Sequence, residues 1–441
     1  MNKYLLVIEV AALSVGLFKK HRTEAATLSA LAKNGSFTAL KPSFPALTST
    51  VQASLTTGQL PAQHGIVANG LYDHTFHKIR FWEQADTLCF SPRIWTMLKQ
   101  RDPRVKTALF FWQNSLGSRN DFILTPAPIH KHHGGMIQDC YSQPAELYPA
   151  LKQKLGAFNL KWYWGPFTSI KSSQWIARAT AEVINQHQPH LVLTYLPHLD
   201  YNQQRWGPDD PRMGNEIKEI DAVIGELVET ARQKKYEIII VSDYGMSQVS
   251  GAVLVNRSLR EAGFLKVRTV RGREYLDLYE SEAFALVDHQ VAHIYINTKE
   301  PKNRRTEELK KILGKVEGIE KVLDRNAQRD LGIDHRRSGD LVAISRKDKW
   351  FAYYWWDNPG AAPDYARHID IHNKPGYDPC ELFFRWLPPG IPLKPELVRG
   401  SHGRPPDSPD DYGIIITSFP VHQPSFLKDT HIFNLIKSCL L

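Results

Sequence analysis

Pro45-Ala-Leu-Thr-Ser-Thr-Val-Gln-Ala-Ser-Leu-Thr-Thr-Gly58 sets a cluster of hydroxyl residues just before a short helix that ends at Gly58. A hydroxyl at a helix start meets free backbone amides and the positive end of the helix dipole, which stabilise an alkoxide and bind a phosphate oxygen. For an isolated Thr/Ser cluster the plainer expectation is an N-cap at Thr48 or Ser49. The chain goes on, however, as Thr57-Gly-Gln-Leu-Pro-Ala-Gln-His-Gly-Ile-Val-Ala-Asn69. This is a turn-rich continuation that makes the hydroxyls part of a longer pattern.

Working outward, short runs rich in Val, Ile and Leu alternate with longer amphipathic stretches, the pattern of a parallel sheet covered on both faces. The clearest runs are Tyr4 to Val10, Lys106 to Phe111, His190 to Leu196 and Glu237 to Ser242. Helices are predicted over Glu24 to Lys33, Ser172 to Gln186 and Arg212 to Gln233. From about Gly251 the rhythm changes. Strands are predicted at Phe284 to Val287 and Val291 to Asn297, a helix at Thr306 to Lys315, and a Trp/Tyr/Pro-rich stretch follows from Trp350 to Pro389. A strand at Gly413 to Ser418 restores the first style. The expected organisation is an α/β core over 1–250, an inserted cap-like region over 251–395, and a return to the core over 396–441.

The chain has 441 residues, 42% hydrophobic and 23% charged, with a formal net charge of +9. That length and aromatic content exclude a disordered chain and permit a large core. The basic balance fits a small anionic substrate; no nucleic-acid reader motif accompanies it. Cys89, Cys140, Cys380 and Cys439 form no CxxC pair, the opening apolar stretch is too short for a signal peptide, and no segment is long enough to span a bilayer. The expectation is therefore a cytoplasmic protein with no membrane partner.

The stretch from Thr48 through Thr57-Gly58, Pro61 and His64-Gly-Ile66 to Asn69 resembles the nucleophile signature of type I phosphodiesterases and nucleotide pyrophosphatases, a branch of the alkaline phosphatase superfamily. The resemblance implies a three-layer α/β fold with a mostly parallel sheet, helices on both faces and an inserted cap. It makes Thr48 the nucleophile, with Thr50 as fallback, and makes Asn69 the amide donor to the substrate phosphate. His64 is expected to be structural. It also implies two divalent metals held by Asp and His, which suit in-line displacement by neutralising charge on both entering and leaving oxygens.

Leu196-Pro-His-Leu-Asp-Tyr-Asn-Gln-Gln-Arg-Trp-Gly-Pro208 resembles the family pattern of an Asp with a His four residues on, with Asp200 kept and Gln204 in the place of the His. Ser242-Asp-Tyr-Gly-Met246 resembles the family's Ser-Asp-His-Gly-Met, with Asp243 kept and Tyr244 replacing the His. His402 in Gly400-Ser-His-Gly403 matches a third ligand motif. Where strand one should end in Asp, the chain reads Ala11 or Ala12, with Glu9 the nearest carboxylate. Independently of the family, Asp200 and Asp243 stand at strand ends, where sites of parallel sheets form. Two replacements are expected: Glu9 for the missing Asp, and His198, which in extended backbone would share a face with Asp200. With Gln204 and Tyr244 as poor zinc ligands, Mg²⁺ or Mn²⁺ competes with Zn²⁺ as the ion.

Asp288-His-Gln-Val-Ala-His293, Asp334-His-Arg-Arg-Ser-Gly-Asp340 and Arg367-His-Ile-Asp-Ile-His-Asn-Lys-Pro-Gly-Tyr-Asp378 form a second polar constellation. Asp288, His289 and His372 are its candidates for substrate or metal contact, against packing as the alternative. Trp82, Phe110, Phe111, Trp112, Trp162, Tyr163 and Trp164 are expected in the core or stacked on a flat substrate group. Together these features predict a metal-dependent hydrolase of a phosphate diester or pyrophosphate-type bond acting through phospho-Thr48 on a small phosphorylated substrate. The alternatives are a phosphate-ligand-binding relative with impaired catalysis and a phosphoryl transferase.

Overall fold

A computed structural model describes residues 3–133, 135–298, 301–387, 389–421 and 425–441. Its central sheet has nine strands: β1 (Leu5–Val10), β2 (Ser36–Lys41), β3 (Thr107–Phe110), β4 (Phe122–Pro126), β5 (Cys140–Gln143), β6 (Leu191–Leu196), β7 (Glu237–Val241), and two late strands, Gly413–Thr417 and Phe426–Lys428. Across the sheet the order is Phe426–Lys428, β2, Gly413–Thr417, β7, β1, β6, β3, β4, β5. All strands run parallel to β1 except Gly413–Thr417 and β5.

The continuous apolar runs form the middle of this sheet because both faces are covered. Leu6, Ile8 and Val10 of β1 pack on one side with helices α1 (Ala26–Asn34), α4 (Ile170–His187) and α6 (Met213–Gln233). Leu5 and Val7 pack on the other with α2 (Thr48–Thr57), α3 (Ile94–Arg101) and α7 (His431–Leu440). The side-chain period of two thus sorts one strand into two cores, and each fully buried Leu, Ile or Val contributes about 1.5–3 kcal/mol. This is the alkaline-phosphatase-like three-layer architecture expected. The predicted helix at Glu24 to Lys33 starts two residues later, at Ala26, and a separate short helix, Val15–Lys20, precedes it.

The segment after 251 contributes a second, antiparallel sheet. Its strands are β8 (Ala283–Asp288), β9 (Val291–Ile296), β10 (Ile319–Leu323) and β11 (Leu341–Ser345), in the order β8-β9-β11-β10. Its core is aromatic, with Trp350, Tyr353, Trp355 and Trp356 buried, and Tyr72, Ile79 and Phe81 from earlier in the chain join it. The predicted helix from Thr306 begins at Lys302, directly after Pro301. β8 and β9 are joined by His289 and Gln290, with His289 in the left-handed region at φ 58°. Gln290 donates its backbone N–H to the His402 carbonyl at 2.9 Å. This hairpin tip therefore touches the carboxyl edge of the central sheet.

Candidate active site

β1, β2, β6 and β7 all end at one edge of the sheet. The helix α2 follows β2, α5 (His198–Trp206) follows β6, Asp243 follows β7, and His402 precedes the antiparallel strand Gly413–Thr417. Thr48 is the first residue of α2, which ends as the sequence predicts at Gly58, in the left-handed region at φ 68°. The Ser49 N–H donates to Asn69 Oδ1 at 3.0 Å, so Asn69 caps this helix from across the turn. Asn69 is in turn fixed by Asp288, which accepts from its backbone N–H at 2.8 Å and its side-chain amide at 3.3 Å.

Thr48, Asp200, Tyr244, His289, His372, Tyr377 and His402 line one cavity of about 290 Å³. Its floor is a continuous hydrogen-bonded array. Tyr244 OH lies 3.2 Å from Thr48 Oγ1 and 3.2 Å from Asp200 Oδ1. Gln204 Nε2 donates to Asp200 Oδ2 at 2.6 Å, while Gln204 Oε1 accepts from Tyr377 OH at 2.9 Å. The Tyr244 ring stacks on His402, centroids 3.5 Å apart and 8° from parallel, and His402 Nδ1 donates to the Ala46 carbonyl at 2.8 Å. His289 stacks on Tyr377 at 3.6 Å and donates through Nδ1 to Asp288 at 2.7 Å. Burial pushes Asp200 up to about 7 and Asp288 to about 6, and it holds His289 and His402 well below the usual histidine range.

Glu9, on β1, is close enough to Asp243 for each carboxyl to feel the other's charge. Asp243 Oδ1 accepts from the backbone N–H of Ala12 and of Tyr244, both at 3.1 Å. Asp243 Oδ2 and both Glu9 oxygens are buried without a donor. Burial and the Asp243 charge raise Glu9 well above the carboxylate range, and burial raises Asp243 to about 7.

Several sequence expectations change here. His198 does not share a face with Asp200, because the chain enters α5 at His198 and two residues along a helix point to different sides. It turns instead onto α6, 2.9 Å from Glu216 and 3.8 Å from Glu219. Those three are the one cluster of metal-capable side chains among the described residues. Glu216 already accepts from the Asn202 amide at 2.7 Å. Thr50 is buried and lies outside the cavity lining, so it does not compete with Thr48. His64 is structural: it accepts from the Ile66 N–H at Nδ1 and bonds Ser54 Oγ through Nε2 at 3.0 Å. Of the aromatics, Phe110, Phe111 and Trp112 are core, Trp162 sits under Lys171, and Trp82, Tyr163 and Trp164 line the cavity. His372 lines it too and donates to the Phe81 carbonyl at 3.2 Å.

The side chains do not fit two divalent ions. At one expected position the chain offers only the buried methyl of Ala11 or Ala12 in place of the strand-one carboxylate. At the other, both Asp200 oxygens accept from protein donors, and the Gln204 carbonyl is taken by Tyr377. His402 Nε2 is left as a free ring nitrogen, 3.7 Å from Asp200 Oδ1, far short of the four ligands a zinc site requires.

Tyr377 and Gln113 belong to this site although neither was a sequence candidate. Tyr377 stood in the quoted phrase ending at Asp378, but 173 residues separate it from Gln204. Three residues bordering the site, Ala12, Trp82 and His289, hold positive φ without being glycine, a strain common at functional sites.

A family model described as type I phosphodiesterase / nucleotide pyrophosphatase matches residues 5–378. An uncharacterized pyrophosphatase/phosphodiesterase of Schizosaccharomyces pombe is 25% identical over 232 residues, 49% of this chain and 39% of that protein. Ectonucleotide pyrophosphatase/phosphodiesterase 1 of Saccharomyces cerevisiae is 26% identical over 47% of this chain and 28% of its own length. The match thus spans well under half of these curated relatives. Murine ectonucleotide pyrophosphatase/phosphodiesterase 5, which has also been solved with AMP, superposes with a TM-score of 0.63 at 17% identity, covering 99% of this chain and 95% of that one. Phosphonoacetate hydrolase of Sinorhizobium meliloti superposes at 0.61 and 15% identity over 100% and 96%. At these identities the structures establish a shared fold.

Proposed function

The chain belongs to the type I phosphodiesterase / nucleotide pyrophosphatase family, and on that premise we propose that it hydrolyses a phosphate diester or pyrophosphate-type bond through a phosphorylated Thr48. The observation that carries this reading is the position of the Thr48 hydroxyl. It stands at the open end of a helix, on the floor of the cavity, within 3.2 Å of a phenol that also reaches a carboxylate. The positive end of the helix faces the phosphate oxygens, and Asn69, expected to donate its amide to the phosphate, instead gives that amide to Asp288 and caps the Ser49 N–H, keeping the turn in place. The aromatic wall of Trp82, Tyr163 and Trp164 suits a substrate with a flat or apolar group beside its phosphate, such as a nucleotide. Two divalent ions supply charge neutralisation and nucleophile activation in the family pattern, but the donor set here does not fit them, so no step is assigned to them.

A second reading, a phosphate-ligand-binding protein without turnover, is favoured by one observation: Ala11 or Ala12, Gln204 and Tyr244 stand where the pattern has ligands. One pair of measurements separates the two. Turnover of bis(4-nitrophenyl) phosphate and of a dinucleotide is followed for the wild type and for Thr48→Ala. The hydrolase reading expects loss of at least about 10³-fold in kcat. Undiminished turnover in Thr48→Ala sinks it, and calorimetric binding of a phosphodiester with no turnover in the wild type favours the second reading.

A further inference from the structure

Gln204 and Tyr244, at two of the three replaced positions, lie in one hydrogen-bonded chain that ends on the nucleophile. We infer that the Tyr244 hydroxyl activates Thr48 by relaying its proton to Asp200, in a site that needs no divalent ion. This inference rests on the reading of Thr48 as nucleophile and adds to it.

The direction of each hydrogen bond follows from donor inventory. Ionised Asp200 only accepts, so the hydrogen bond at 3.2 Å is donated by Tyr244 OH. Having spent its one proton there, the phenol oxygen offers Thr48 only lone pairs. At 3.2 Å the Thr48 O–H is therefore the donor. The Thr48 proton points into the phenol, and its lone pairs are left for a phosphorus atom in the cavity. Nothing in this array is free to swing. Gln204 pins the other Asp200 oxygen at 2.6 Å and is itself oriented by Tyr377, while His402 clamps the Tyr244 ring face to face. A phenol that only filled space would need one partner; this one stands between the nucleophile and a buried carboxylate.

The charge around the array changes in the same direction. Ala11 or Ala12 stands where the pattern has a carboxylate, so the floor holds one ligand fewer at the strand-one end.

The reaction balances without a metal. Thr48 Oγ1 bonds to phosphorus as the bond to the leaving oxygen breaks; the Thr48 proton moves to Tyr244 as the Tyr244 proton moves to Asp200. The leaving alkoxide takes a proton from a water. The resulting hydroxide attacks phospho-Thr48, the phosphorus–Oγ1 bond breaks, and the proton returns from Asp200 through Tyr244 to Thr48. The net change is one water consumed per phosphoester bond.

The test uses the full chain dialysed against EDTA, with bis(4-nitrophenyl) phosphate as probe, phosphorylation of Thr48 read by mass spectrometry and metal content by elemental analysis. The expected result is undiminished labelling of metal-free wild type and labelling slower by about 10²-fold in Tyr244→Phe, whose circular dichroism and unfolding midpoint stay near the wild type. The combined Ala11→Asp, Gln204→His, Tyr244→His protein is expected to gain bound Zn²⁺ that the wild type lacks. Loss of labelling on dialysis, restored by Zn²⁺, Mn²⁺ or Mg²⁺, overturns the relay while leaving Thr48 as nucleophile. Labelling of Tyr244→Phe at the wild-type rate does the same. A wild type never labelled at Thr48, with or without metal, overturns both this inference and the proposed function.

Discussion

Replacing His64 by Gln should change how stability depends on pH more than it changes stability at neutral pH. The Ile66 N–H donates to His64 Nδ1 at 3.1 Å, so the ring is the Nε2–H tautomer, donating to Ser54. A second proton has no acceptor to go to. Burial, with smaller contributions from the Arg93 and His335 charges, lowers the ring to about 3. Because the folded value lies below the unfolded value of about 6.5, the unfolded chain binds the extra proton, and stability is retained above that value and lost as pH falls beneath it. At about pH 4.5, two units below, this linkage costs the wild type about 2.7 kcal/mol. Glutamine keeps a donor and an acceptor but does not titrate, so at about pH 7.5 the variant should be less stable by about 1–3 kcal/mol, the cost of imperfectly replaced buried hydrogen bonds. Urea unfolding of both proteins at the two pH values gives the comparison. The gap between them should shrink or invert on acidification by roughly 2–3 kcal/mol. A gap that stays constant would mean that His64 accepts its second proton without penalty, and the tautomer argument would fail.

Two further changes probe the cavity and its support. Trp82→Ala should raise KM for an aryl phosphodiester by about 3- to 10-fold with kcat changed less, since it removes a stacking wall of the cavity but no hydrogen-bond partner of Thr48; an equal fall in kcat at unchanged KM would contradict this placement. Lys374→Met should destabilise the fold by about 3–5 kcal/mol in denaturant unfolding, because the buried Lys374 ammonium bridges Asp378 at 2.8 Å and Glu381 at 2.7 Å and its loss leaves two carboxylates unpaired. An unfolding midpoint near the wild type would show that those carboxyls are neutral in the fold.

Much of the central sheet was legible in the sequence because its middle strands are covered on both faces and therefore read as unbroken apolar runs. β2 was not legible: Ser36, Thr38 and Lys41 interrupt it, and only Thr38 to Leu40 are buried. β4 was hidden by its brevity and by the proline at its end. Thr48 was found through its helix start and the motif behind it, and Asp200 and Asp243 through their place after strands. His198 was misassigned because a period of two was applied where the chain had already turned helical. The roles of Tyr377 and Gln204 come from a contact across 173 residues, which no local pattern encodes. Asp288 and His289 were visible only as an Asp-His pair, since a two-residue hairpin tip reveals nothing of what it touches. Of the other phrases in that constellation, His293 and Asp340 prove to be packing elements that accept backbone N–H groups of Gly339 and Ile296.

That hairpin tip makes the site a product of two halves of the chain. Thr48, Asp200 and Asp243 hang from one core, whereas Asp288 and His289, which steady Asn69 and close the cavity, are delivered by the other. Neither core alone holds a finished pocket, so activity reports on their assembly as well as on their chemistry. The cap that Asn69 places on the nucleophile helix is anchored by Asp288 and so depends on β8 and β9 being docked. A break in the polypeptide anywhere that loosens this docking would silence the site without touching one residue that reacts.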